Sequence, residues 1–284
     1  MRPFFFATIL AALLAACSGA EKPERPVLAV SIEPQKKILE AIAGPGFDVV
    51  VLLPPGSDPE SFEPTMSQRR SLSDAEAYFP VGYMPFEEKL AADSREQGGT
   101  RVVYSTKGII PVTGTHSHGR GEAHTDIDPH VWTSLRNGKI IAANFAEALS
   151  SLRPDSAEVY RARYQRLAAH LDSLDGEASR RLRAAGAHAF AIWHPSLSYF
   201  ARDYGLHQIS VGQESKEIST GRLRHIVDEA REDSVKILFF QKEYDSRLAS
   251  TLNESMGTRL VTINPLDYDW DGQIMLIVDE LAGK

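Results

Sequence analysis

Residues 154–185 have the sequence PDSAEVYRARYQRLAAHLDSLDGEASRRLRAA, and this stretch decides how the rest of the chain is organised. Apolar residues recur in it at intervals of three and four, the spacing of one helical face: Tyr160, Tyr164, Leu167, Leu171, Leu174, Ala178 and Leu182. A single helix over this stretch spans about 48 Å, longer than a helix inside one compact domain usually needs. The pattern therefore predicts a long rigid helix that joins two lobes. The alternative is two helices broken at Gly176, because a glycine inside a helix costs about 1 kcal/mol.

Strand-like and helix-like patterns alternate on both sides of this helix. Before it, apolar runs of strand length lie at 27–32 (VLAVSI) and 47–53 (FDVVVLL), separated by a helical pattern. After it, strand patterns at 189–193, 208–211, 237–240 and 260–263 alternate with helical ones. The sequence thus predicts an α/β fold with two lobes, each a largely parallel sheet with flanking helices. The predicted boundaries are 27–152 for the N-terminal lobe, 153–185 for the linking helix and 186–284 for the C-terminal lobe.

The N-terminus has the pattern of an export signal. A short positive start is followed by an apolar run that is too brief to cross a bilayer, and the run ends in Leu14-Ala15-Ala16-Cys17. A cysteine directly after Leu-Ala-Ala resembles a lipobox, so residues 1–17 are predicted to be a lipoprotein signal peptide whose Cys17 becomes lipid-modified. Residues 18–26 (SGAEKPERP) suit a flexible tether. We expect the folded body on the periplasmic side of the membrane, anchored to the cell envelope.

Composition restricts the chemistry of the body. Cys17 is the only cysteine, so neither an internal disulfide nor a thiolate metal site is possible, and any metal ligands must be His, Asp or Glu. The formal net charge is -7 and the Lys and Arg residues are scattered along the chain. This balance argues against a nucleic-acid partner.

Three short segments carry side chains that bind metals, each beside a proline: 56–64 (GSDPESFEP), 128–132 (DPHVW) and 193–203 (WHPSLSYFARD). Imidazole and carboxylate together suit zinc, manganese or iron. Singly, each is also compatible with a structural histidine or a turn carboxylate. The glycine-rich stretch 113–128 (TGTHSHGRGEAHTDID) is predicted to be a surface loop. Its histidines His116, His118 and His124 are either a weak metal-collecting site or part of an ordinary polar loop.

With these segments in view, the chain resembles the solute-binding proteins of metal ABC transporters, of the zinc-uptake (cluster A-I) type. The resemblance covers nearly the whole body. Residues 56–65 match the family's G-x-x-P-H-x-[YF]-E-P-[ST] segment except that Glu60 replaces the ligand histidine. The D-P-H-[VI]-W motif is intact at 128–132, and further family segments are resembled at 194–206, 215–219 and 264–266.

The resemblance implies a metal site between two α/β lobes linked by one helix. It makes Glu60, His130 and His194 ligands. The family's frequent fourth ligand, an Asp, is Asn264 here, so Asp267, Asp269, Asn264 itself or water are the candidates, and Asp267 is the one we choose. Two nitrogens and two carboxylates resemble the family's manganese sites, but the general affinity order and the histidine loop favour Zn²⁺, with Mn²⁺ as the alternative.

The function implied is capture of a divalent metal ion for import by an ABC transporter, with the permease in the inner membrane as partner and the chain as a monomer. No enzymatic activity is expected. The alternatives are a zinc hydrolase, since three protein ligands and an open position also make a catalytic zinc site, and an adhesin that a metal ion merely stabilises. Against the hydrolase, the sequence lacks H-E-x-x-H and G-x-S-x-G segments.

Overall fold

The computed structural model of the protein describes residues 25–113, 127–211, 220–242 and 246–283. The predicted signal peptide, Cys17 and most of the tether lie outside these ranges. Among the described residues, no helix is both long enough and apolar enough to cross a bilayer.

The first lobe is a four-stranded parallel sheet in the order β2-β1-β3-β4. Its elements in chain order are β1 (Val27–Val30), α1 (Glu33–Ala43), β2 (Asp48–Val51), α2 (Met66–Ser73), β3 (Ala77–Phe79), α3 (Pro85–Gln97), β4 (Arg101–Val102) and α4 (Leu135–Leu152). Residues of the central strands β1 and β3 are almost completely buried because helices cover the sheet, which explains their unbroken apolar sequences.

The second lobe repeats this arrangement with a parallel sheet in the order β6-β5-β7-β8. Its elements are β5 (Ala189–Ile192), α6 (Ser198–Tyr204), β6 (His207–Ser210), α7 (Thr220–Glu232), β7 (Ile237–Gln241), α8 (Ser246–Met256), β8 (Arg259–Ile263) and α9 (Trp270–Leu281). In both sheets the first strand lies centrally and the chain moves first to one edge and then to the other. Ligands bind at such reversal points, outside the carboxyl ends of the strands. The predicted fold class is confirmed.

The linking helix α5 runs without a break from Ala157 to Ala185, and Pro154–Ser156 form a single 3₁₀ turn before it. Gly176 lies inside the helix, so the two-helix alternative is wrong. The helix ends at Gly186, whose φ of 65° is the left-handed conformation that glycine adopts without strain. It packs against α1 and α4 of the first lobe and α9 of the second, so both lobes rest on one straight element.

The lobes also contact each other directly, around the cleft. Nε1 of Trp132 donates a hydrogen bond to the carbonyl oxygen of Pro265 over 2.9 Å. The hydroxyl of Tyr199 donates to the carbonyl oxygen of Asp128 (2.8 Å) and accepts from the backbone N–H of Val112 (3.1 Å). Trp132 and Tyr199 belong to one apolar core that continues through both lobes. The cleft is therefore bounded by a packed interface.

A second set of contacts between the lobes is polar and joins α1 to the start of α9 and to the turn that precedes it. Nζ of Lys37 is 2.5 Å from a carboxylate oxygen of Asp269 and also pairs with Asp271. Burial acts to lower the pKa of Lys37, but the two carboxylates outweigh it and raise the pKa. The hydroxyl of Tyr268 donates to Glu40 over 2.8 Å. These bonds fix the turn after β8 to the first lobe.

Gly138, on α4, lies where the two lobes approach each other closely. A Cβ at this position would lie 2.5 Å from Cη2 of the buried Trp270 at the start of α9. We therefore expect Gly138→Ala to destabilise the protein by roughly 1–3 kcal/mol through overpacking. Gly176→Ala is the matched control, because no atom lies within 4 Å of its Cβ position, and it should stabilise α5 by about 0.5–1 kcal/mol. Urea unfolding of both variants tests this, and equal effects would contradict it.

Candidate metal centre

Three of the predicted ligands, Glu60, His130 and His194, meet in the cleft. Each offers one ligand atom within 4.8 Å of the other two. Nε2 of His194 lies 3.3 Å from Oε1 of Glu60, and Nε2 of His130 lies 3.9 Å from the same oxygen. A tetrahedral zinc ion with bonds of about 2.0–2.2 Å holds its ligand atoms roughly 3.3–3.6 Å apart. The two distances from Glu60 to the imidazole nitrogens are thus close to those of a tetrahedral site.

Glu60 is supplied by the loop between β2 and α2. Asp58 organises this loop, since its carboxylate accepts hydrogen bonds from the backbone N–H of Glu60 (3.0 Å) and the hydroxyl of Ser61 (2.9 Å). Phe62 anchors the loop to the lobe, with its ring edge-on to the ring of Phe86 on α3 at a centroid distance of 5.1 Å. The carboxylate of Glu60 is therefore held over the sheet edge by both polar and aromatic contacts.

His130 is oriented by the acidic residue two positions before it. Oδ1 of Asp128, which is fully buried, accepts from both the backbone N–H and Nδ1 of His130, each over 2.8 Å. This bond places the proton on Nδ1 and leaves the lone pair of Nε2 facing Glu60, the usual arrangement for a metal-binding histidine. Burial acts to lower the pKa of His130, but the charges of Asp128, Glu60 and Asp58 outweigh it and raise the pKa above its ordinary value.

His194 follows β5 and comes from the opposite lobe. Its ring lies edge-on to that of His130, with centroids 5.1 Å apart. Gln241, the last residue of β7, hydrogen-bonds to the main chain of His194 at both its N–H and its C=O. Gln241 was not predicted as a site residue, and no sequence pattern marks it, because its partner lies 47 positions away along the chain.

Two of the three side chains, His130 and His194, border a small cavity of about 30 Å³, close to the space that one water molecule or one ion occupies, and Asp58 and Pro59, which precede Glu60, also line it. Its wall combines polar groups with an apolar side formed by Trp132, Pro265 and Leu266. No other described set of three or more His, Cys, Asp or Glu side chains comes this close together. The geometry is suited to a single desolvated cation.

The fourth predicted ligand, Asp267, is not part of this cluster. Its carboxylate accepts hydrogen bonds from Nδ2 of Asn264 (2.9 Å) and from the backbone N–H of Asp269 (3.0 Å). Because a carboxylate can only accept, the nitrogen of the Asn264 amide must face Asp267, and Oδ1 points away from it. That oxygen is buried, and no described group hydrogen-bonds to it. Asp267 as a ligand remains a prediction, with Asn264, Asp269 and water as its alternatives.

The histidines of the predicted metal-collecting loop, His116, His118 and His124, lie outside the described residues.

Comparisons with known proteins identify the family of the chain. The model of the family described as zinc-uptake complex component A, periplasmic (ZnuA) matches residues 28–273. The zinc-binding lipoprotein AdcA of Streptococcus pneumoniae (strain ATCC BAA-255 / R6) is 24% identical over 271 residues, covering 92% of this chain and 54% of AdcA. The chain thus spans about half the length of that relative.

Solved structures share the fold. A crystal structure of ZnuA superposes with a TM-score of 0.83 at 30% identity, covering 91% of this chain and 98% of that one. FpvC of Pseudomonas aeruginosa in complex with Mn²⁺ superposes with a TM-score of 0.78 at 22% identity, covering 91% and 98%, which shows the shared fold alone. The match over 28–273 extends through both lobes and all three clustered residues, so the chain belongs to the ZnuA family, as the sequence motifs indicated.

Proposed function

We propose that this protein captures one divalent transition-metal ion, zinc in preference to manganese, and delivers it to the permease of an ABC transporter. The observation that carries the proposal is the convergence of two imidazole nitrogens and one carboxylate oxygen in the cleft between the lobes, where both imidazoles border an ion-sized cavity. Membership of a zinc-uptake family supports import as the purpose of binding. The proposed role involves no chemical change in the cargo.

Zinc is the proposed cargo for two reasons. Nitrogen and oxygen ligands bind Zn²⁺ more tightly than Mn²⁺ in the general order of divalent metals. The pneumococcal relative is described as zinc-binding. Glu60 adds a negative charge and an oxygen donor, which suits harder cations, so manganese remains the alternative.

Glu60, His130 and His194 are the proposed ligands, and Asp267 is the proposed fourth. The unpartnered buried oxygen of Asn264 supports that residue as the alternative. His116, His118 and His124 are proposed to collect ions and to pass them to these ligands. The N-terminal segment is proposed to export the chain and to anchor it through Cys17, so that the body faces the periplasm as a monomer.

Metal titration tests the proposal. Protein lacking residues 1–26 should bind one equivalent of zinc, more tightly than manganese in competition. A preference for manganese would change the cargo but keep the site, whereas the absence of any specific metal would refute the proposal. Titrating Asp267→Ala beside Asn264→Ala with zinc identifies the fourth ligand, since the variant that lacks the true ligand binds zinc more weakly.

Zinc affinity should fall as the pH falls through the imidazole range. His130 must be neutral to bind the ion, and because its pKa is raised, proton competition should begin above the ordinary value of 6.5. Each displaced proton weakens binding by about tenfold per pH unit. Affinity measured in calibrated metal buffers from about pH 5 to 8, on both sides of the ordinary imidazole pKa of about 6.5, checks this. A flat profile would exclude histidine ligands.

The stability of the metal-free protein should depend on pH in the opposite sense from zinc affinity. A histidine whose pKa is raised by folding contributes stability that is present below the pKa of the unfolded chain and is lost as the pH rises through the folded pKa. The increase in Tm on adding zinc is therefore expected to shrink on acidification, because the same protonation of His130 that stabilises the metal-free protein competes with the ion.

A further inference from the structure

We propose that Gln241 is a positioning residue for the metal site, which fixes the main chain of His194 before an ion arrives. The inference rests on the proposed function, because it assigns a role within the same site. Gln241 is only 3% exposed and borders the metal cavity. It does not need to touch the ion to influence binding.

The hydrogen bonds of Gln241 form a clamp on the loop after β5. Oε1 accepts from the backbone N–H of His194 over 3.2 Å. Nε2 donates to the carbonyl oxygen of His194 over 2.6 Å and to the hydroxyl oxygen of Ser196 over 2.7 Å. The amide thereby meets both polar groups of the ligand residue's main chain, because a carboxamide carries an acceptor oxygen and a donor nitrogen on one carbon.

The sheet explains why such a clamp is needed. The ladder between β5 and β7 pairs Ile192 with Phe239, and the backbone N–H of Trp193 still donates to Phe239 over 2.9 Å. At His194 the main chain leaves the ladder, so its polar groups lose the strand partner that they would otherwise have. The side chain of Gln241 takes over this pairing, because its amide has the same donor and acceptor as a peptide group.

The consequence for metal binding is preorganisation. His194 is the member of the three-residue cluster that comes from the second lobe, and its Nε2 must stay within reach of Glu60, 3.3 Å away. If its main chain were free to move, binding would have to order it, and that cost would reduce affinity. Residues that orient metal ligands without touching the metal typically contribute about 10–100-fold to affinity.

The chain offers a matched control in Gln208, on β6. Its amide binds the same loop in the same manner, with Oε1 accepting from the backbone N–H of Leu197 (3.0 Å) and Nε2 donating to the hydroxyl of Ser198 (3.1 Å). It contacts the start of α6 instead of the ligand residue. Removing either amide therefore removes hydrogen bonds to this loop, but only the amide of Gln241 binds His194.

The experiment compares Gln241→Met and Gln208→Met, since methionine keeps the length of the side chain and removes its hydrogen bonds. For Gln241→Met we expect zinc affinity to fall by roughly 10–100-fold and the visible spectrum of bound Co²⁺ to change, because that spectrum reports the geometry of the ligands. Gln208→Met should lose comparable stability toward urea while keeping the wild-type affinity and Co²⁺ spectrum.

The outcomes separate the two proposals. If wild-type protein binds zinc and Gln241→Met binds it equally well with an unchanged Co²⁺ spectrum, the positioning role is refuted and the proposed function stands. If both variants lose affinity alike, the effect is general loosening of the loop, which also refutes the role. If wild type binds no metal, the proposed function fails and this inference with it. Should Gln241→Met not fold, Gln241→Asn replaces it, since the shorter amide cannot reach both groups of His194.

Discussion

His194→Ala should lower zinc affinity by at least about 100-fold, since the loss of a residue that merely orients a ligand already costs about 10–100-fold. The substitution removes a proposed ligand, the one that the second lobe supplies to the cluster. Glu60 and His130 would then remain on one lobe, with Nε2 of His130 3.9 Å from the carboxylate of Glu60. The measurement is competition against a chromogenic chelator at neutral pH, with circular dichroism to verify folding.

His188→Ala is the control for this experiment. It removes an exposed histidine of the same lobe whose ring hydrogen-bonds to the carbonyl oxygens of Gly186 and Asp233, away from the cavity. It should leave zinc affinity unchanged. If His194→Ala and His188→Ala bind zinc equally well, the cluster is not the metal site.

The largest effect on stability is expected from Glu87→Ala. Glu87 is 1% exposed, and its carboxylate accepts from the backbone N–H groups of Val81 (2.6 Å), Gly82 (2.6 Å) and Met84 (3.2 Å) and from the hydroxyl of Ser31. Alanine leaves the backbone N–H groups of the buried residues Val81 and Met84 without this acceptor, at about 1–3 kcal/mol for each unsatisfied group, and removes the partner of the half-buried Gly82. We expect the free energy of unfolding to fall by on the order of 3–5 kcal/mol, a large part of the stability of a typical domain.

Urea unfolding followed by circular dichroism measures this effect, with Glu88→Ala as the control. Glu88 is the next residue of the same helix and is exposed. Its replacement should change stability by less than about 0.5 kcal/mol. Equal unfolding midpoints for the two variants would show that the buried carboxylate contributes nothing to stability.

The long helix and the two sheets could be predicted because they depend on local patterns. Apolar spacing at three and four residues places Tyr160, Leu171, Ala178 and Leu182 on the buried face of α5. The cost of Gly176 was too small to break the helix, because packing against both lobes outweighs about 1 kcal/mol. The predicted start at Pro154 was early by one 3₁₀ turn, which is the usual uncertainty at helix ends.

The metal cluster could be predicted only through family motifs. Glu60, His130 and His194 lie far apart in the sequence, and nothing in their spacing says that they meet. Asp267 shows the limit of the motif argument, because once Asn264 occupied the expected position, proximity in sequence was the remaining guide. In the structure the carboxylate of Asp267 orients the amide of Asn264.

Gln241 and Glu87 escaped prediction for a shared physical reason. Both act on backbone groups, which every residue carries, so their partners leave no signature in the sequence. Glu87 has the pattern of an ordinary polar residue on a surface helix, although it is buried. Its role becomes visible only when the turn at 81–84 folds over its carboxylate.

Each lobe is built from one uninterrupted stretch of chain, the first before α5 and the second after it. An ion held by Glu60, His130 and His194 therefore acts as a removable crosslink between two halves that the covalent chain joins through a single helix. Work that moves the two lobes relative to each other would reduce the free energy with which such a crosslink binds its ion. A permease that gripped both lobes and shifted them by a fraction of a bond length would lower the affinity without contacting any ligand, and tight capture would then be compatible with rapid unloading.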